Sequence, residues 1–126
     1  MRIEKNYLLA EAVVSLFIFE AEGMLETEEM SCWIDPHVNC RERGFNIHIS
    51  GGKFPSNGFS FFVYEHRNMD TICVTISTAM EWDYITEKDY STEKQFGHDV
   101  QKTVDYIIKH VTGKLHLGKR LEEQNG

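Results

Sequence analysis

Cys32, His37 and Cys40 stand in the segment "CWIDPHVNC" at a Cys-x4-His-x2-Cys spacing. Thiolate and imidazole are both zinc ligands, and a structural zinc site takes four of them. The segment supplies three, so the fourth would have to be Asp35, a distant histidine such as His48, or water. The chain has three cysteines, an odd number that excludes a complete internal disulfide framework. A Cys32–Cys40 bridge is the remaining oxidised alternative. The leading reading is plainer. Asp-Pro favours turn initiation, so Asp35–Pro36 marks the place where two short strands meet, flanked by reduced thiols.

A second polar group is "YEHRNMD", Tyr64 to Asp70. Glu65, His66, Arg67 and Asp70 offer an acid, a base and an anion-binding fork, although strand alternation separates Glu65 from His66. His66 could approach His48 if their strands pair in a suitable register, giving the start of a metal or acid–base site. The metal candidates are therefore Cys32, His37, Cys40, His48 and His66. Cys73 sits inside an apolar strand, where a lone thiol behaves as a small inert hydrophobe. No nucleophile elbow, phosphate-binding glycine loop or His-Glu-x-x-His pair occurs. Glu81, Asp83, Glu87 and Asp89 miss the calcium-loop pattern. With Trp82, Tyr84 and Tyr90 they suit a partner-facing surface instead, and Glu81, Trp82, Asp83, Tyr84 and Tyr90 are the partner-binding candidates.

Composition narrows the class of partner. The 126-residue chain carries 20 acidic and 13 basic side chains, a formal charge of −7. Nucleic acid binding draws its affinity from cationic groups on phosphates, which this balance opposes. Helix, strands, helix is also the order of double-stranded-RNA-binding domains, but "STEKQF" at the start of the last helix offers a single lysine for phosphate contact. An acidic surface favours a basic protein partner. The apolar run "YLLAEAVVSLFIF" follows Arg2 and Lys5 and could pass for a signal peptide. Glu11 interrupts it, "EAEG" is a poor cleavage site, and the run is too short to span a bilayer. A buried helix and a cytoplasmic protein are expected.

These residues need elements to position them. Glu4, Glu11, Ser15 and Glu22 recur at helical spacing within Glu4 to Glu22, and Gly23 suits the stop. So narrow a polar stripe implies cover on most sides, by a sheet or by a second copy of the chain. Met24 to Met30 reads as loop or short helix. Beyond it the period becomes two. Phe45, Ile47 and Ile49 alternate with polar residues, followed by Phe59, Phe61 and Val63, then Ile72, Val74 and Ile76. "MEWDY" continues the alternation as a further strand. Thr92 and Gln95 resemble a capping box for a last helix whose apolar face is Phe96, Val100, Val104, Ile107, Ile108 and Val111, with Gly113 as its stop. The tail 118–126 is expected to fray.

The expectation is a single α+β domain over 1–126. It has an antiparallel sheet of about four strands, with N- and C-terminal helices packed on one face. The leading function is a non-catalytic protein–protein binding module without cofactor, inhibitor- or immunity-like by analogy. Alternatives are a small metal-dependent or acid–base enzyme using His48, His66 and the Cys32–Cys40 segment, and a self-associating structural protein joined through the N-terminal helix.

Overall fold

The computed structural model describes residues 2–38, 42–51, 59–66, 71–78 and 93–125. They form helix α1 (Arg2–Thr27), strands β1 (Met30–Val38), β2 (Glu42–Gly51), β3 (Phe59–His66), β4 (Thr71–Thr78) and β5 (Glu93–Gln95), and helix α2 (Val100–Asn125). The strands make one antiparallel sheet in the order β1-β2-β3-β4-β5. Two helices and an antiparallel sheet make the chain α+β, as the change of period from helical to two predicts.

Alternation divides the sheet into two faces. Phe45, Ile47, Phe61, Val63, Val74 and Ile76 are matched across β2, β3 and β4, with Ile34 opposite Ile47 on β1. The same cluster takes Ala10, Val13, Phe17 and Ala21 from α1, and Val104, Ile107, Val111 and Leu115 from α2. Burying one such Phe or Ile contributes about 1.5–3 kcal/mol relative to leaving it in water. The opposite face carries Trp33, Asp35 and His37 from β1, Asn46 and His48 from β2, and Ser60, Phe62 and Tyr64 from β3.

Several local expectations give way to packing. Asp35–Pro36 is not a turn. β1 runs through it, with Asp35 opposite Asn46 and Pro36 opposite Phe45. Proline lacks a donor for the ladder but is tolerated on an edge strand, and β1 is an edge. Gly23 does not stop α1, which continues to Thr27 because Met24 and Leu25 still pack on the core. One helical glycine costs about 1 kcal/mol, less than two such side chains gain by burial. Glu29, at φ 56°, then turns the chain into β1, so most of Met24 to Met30 is helical.

The C-terminal helix is shifted in the same way. Gly113 lies within α2, which extends to Asn125. Beyond Gly113, Leu115 is buried. Gln95 belongs to β5, so no capping box starts the helix at Thr92, which is outside the described residues. Phe96 N–H donates to the Ile72 carbonyl (2.8 Å), and Ile72 N–H donates to that of Gly97 (2.7 Å). That pairing holds Phe96 extended and buried. Gly97, at φ +60°, supplies the left-handed turn and donates to Thr71 Oγ1 (2.8 Å). Asp99 is the cap: its Oδ1 accepts from Lys102 N–H at 2.9 Å. "MEWDY" falls outside the described residues.

Candidate functional site

β1, β2 and β3 converge three polar side chains on the face away from the helix-lined core. Trp33, His48 and Ser60 are direct cross-strand neighbours, and Asp35 lies one pair further along β1. His48 Nδ1 is 2.8 Å from Ser60 Oγ, and its Nε2 is 3.2 Å from Asp35 Oδ2. A carboxylate only accepts, so Nε2 carries the proton. In the neutral ring Nδ1 then accepts from the Ser60 hydroxyl. The imidazole is thus tethered at both nitrogens. Trp33 stacks on it with centroids 5.2 Å apart and planes 26° apart, while remaining 52% exposed.

The next rows extend this surface. The His37 ring meets the edge of Phe62 at 5.1 Å, and Phe62 stacks on Tyr64 at 4.6 Å. Gly44 sits between His37 and Tyr64 in register and leaves room for the latter. The Tyr64 hydroxyl donates to Glu93 on β5. Burial, reinforced by that bond, pushes the Tyr64 phenol well above its ordinary value. The result is a strip running from an exposed indole at the edge strand to a buried phenol, with carboxylates at Asp35 and Glu93.

The sequence candidates are only partly brought together. Cys32 pairs with Ile49 and packs against the core, where burial raises its thiol above the usual range. His37 projects from the other face of the same strand. Register also sets His48 opposite Ser60 and His66 opposite Glu42, six residues away along β2, a separation of roughly 20 Å. Glu65 is buried on the core side, directly across from Arg43. Among the described residues no group of three His, Cys, Asp or Glu side chains is placed to hold a metal ion. Cys40, Arg67, Asp70, Glu81, Trp82, Asp83, Tyr84 and Tyr90 lie outside the described residues, as do the side chain of His66 and the Cys32–Cys40 bridge.

Trp33 and Ser60 are the functional candidates that spacing alone does not reveal. The signal lies in "SCWIDPHV": read as one strand, it places Trp33, Asp35 and His37 on one face. Comparison with known proteins finds no matching family model, curated relative or solved structure. Among the described residues, no helix is long and apolar enough to cross a membrane.

Proposed function

We propose that the protein is a non-catalytic binding module that docks a basic protein partner on the β1–β2–β3 face, with Trp33 as its anchor. One observation carries this reading: an indole half exposed at an edge strand, yet oriented by a histidine that is itself tethered at both nitrogens. Tryptophan is enriched among residues that dominate interface energies, and a pre-oriented side chain loses less entropy on binding. Asp35 and Glu93, with the −7 formal charge, favour a cationic partner over nucleic acid. The cytoplasm fits a chain with reduced thiols.

The test is affinity capture from cells of the source organism, with wild-type and Trp33→Ala proteins immobilised side by side. A partner held by the wild type should fall at least ~10-fold on Trp33→Ala, equivalent to about 1.4 kcal/mol. It should also elute as salt rises. Equal retention by both proteins, or no specific partner, overturns the proposal. Circular dichroism controls for folding.

One observation supports an acid–base enzyme as a second reading. Carboxylate, imidazole and hydroxyl form a continuous chain at Asp35, His48 and Ser60, the groups that together activate a serine nucleophile. A fluorophosphonate probe that labels Ser60 in the wild type but not in His48→Ala would favour it, and an unlabelled wild type removes it.

A further inference from the structure

β1 ends the sheet, and among the described residues no strand lies beyond it. An edge strand turns the backbone groups of every second residue outward, and Pro36 fixes which residues those are. A hydrogen-bonded pair in an antiparallel ladder exchanges two N–H···O bonds, so a residue without an N–H must stand in the other kind of pair. Pro36, opposite Phe45, is therefore in a non-hydrogen-bonded pair. By alternation Trp33, Asp35 and His37 bond to β2, while Cys32 and Ile34 turn both N–H and C=O to the edge.

The far side of the sheet gives the same phase. Ile72 bonds away from β3, to Phe96 and Gly97. Cys73 then bonds to Tyr64 on β3, which leaves Val63 bonding to Phe45 on β2 and Asn46 to Asp35 on β1. Two separate starting points agree. Among the described residues the edge is open at Cys32 and Ile34 and half closed at Pro36, which offers a carbonyl alone.

Trp33 and Asp35 alternate with these open positions and project from the outer face. A strand added to β1 would set residues two apart opposite them. Those are non-hydrogen-bonded pairs, in which Cα atoms approach to about 4.5 Å and side chains meet most closely. The residue opposite Trp33 meets an indole 52% exposed, and the one opposite Asp35 meets a carboxylate side chain 58% exposed. β1 carries no lysine, the usual guard of an edge, and no arginine. A second copy of β1 would bring the same carboxylate and neither cation to set against it. A basic segment supplies what the edge lacks.

We propose that the partner makes its contact through an extended basic segment that adds to the sheet as a strand beside β1. Its backbone pairs with Cys32 and Ile34, a cationic side chain meets Asp35, and a flat or apolar one covers Trp33. This rests on the reading of the β1–β2–β3 face as the docking surface for a basic partner, and it names how that contact is made.

The probe is a peptide selected from a random phage-displayed library on the immobilised full chain, then synthesised. Selected peptides should share a basic residue two positions from an aromatic or aliphatic one. N-methylation along the peptide should weaken binding at least ~10-fold at every second residue and little between them, with the protein itself unaltered. Amide exchange gives the protein's side. In the free chain Trp33 and Asp35 should be protected while Cys32 and Ile34 exchange fast, and the peptide should slow Cys32 and Ile34 at least ~10-fold. Asp35→Asn should weaken the peptide about 5-fold at low salt. No enriched peptide, an N-methyl scan without a period of two, or unchanged exchange at Cys32 and Ile34 overturns the strand addition. Slow exchange there in the free chain, as in a dimer joined through β1, overturns it as well. Capture that depends on Trp33 beside any of these results leaves the docking reading standing, whereas a strand-adding peptide indifferent to Trp33→Ala removes Trp33 as the anchor.

Discussion

A methyl group on Gly44 would lie 2.6 Å from Tyr64 Cα and 2.8 Å from Tyr64 Cβ, and would also meet the Val63 carbonyl oxygen. Two of these three obstacles are backbone atoms, so no rotamer change relieves the clash. Gly44→Ala should therefore cost about 2–3 kcal/mol, read as a lower urea midpoint at unchanged slope. Tyr64 carries a second prediction. Burial comes first and the Glu93 bond second among the causes that raise its phenol above the ordinary value near 10. The phenol thus ionises later in the fold than in the unfolded chain. Its stabilisation is complete below about pH 10 and is lost as pH climbs toward the raised value. In an alkaline absorbance titration, one tyrosine should ionise only with unfolding, and Tyr64→Phe should remove that late step. Five tyrosines ionising together, with the fold intact, would count against it.

At the scale of the element, the helices show how burial overrides local signals. Gly113 has open space around its missing Cβ and lies within a continuous helix. Gly113→Ala should stabilise the protein by about 0.5–1 kcal/mol, whereas a helix that ended there would lose stability on the change. Glycine and proline carried misleading information for related reasons. Gly23, Gly113 and Pro36 are common punctuation in sequence, but the chain reads through all three because Met24, Leu115 and Ile34 have apolar surface to cover. The strands β2, β3 and β4 were legible, since period-two alternation is the physical requirement of a sheet with one apolar side. Their register was not. It depends on which residues meet across three strands, and so Asp35, His48 and Ser60 could not be joined from spacing. His48 and Asp35 were named as possible ligands, but Ser60 was not. The zinc spacing of Cys32 and His37 had a simple defect: an odd separation on one strand sends the two side chains to opposite faces.

At the scale of the molecule, every strand among the described residues pairs with the next one along the chain, so the sheet is built from local joins. The joins that span the chain are those of the helices. Gln101 donates to Glu20 at 3.1 Å, and the Thr112 hydroxyl donates to Met24 Sδ at 3.7 Å, linking α2 to α1 across more than eighty residues. Such contacts form late, because the loop they close is long. This order has a cost during synthesis. α1 leaves the ribosome before the strands and α2, yet the surfaces that bury Val13 and Phe17 belong to those later elements. About 70 residues separate the end of α1 from the start of α2. At roughly 5–20 residues per second, the helix waits about 4–15 s before its last covering element begins to be made. Through that interval part of its core side stays open to water, which makes the nascent helix a natural client for a chaperone.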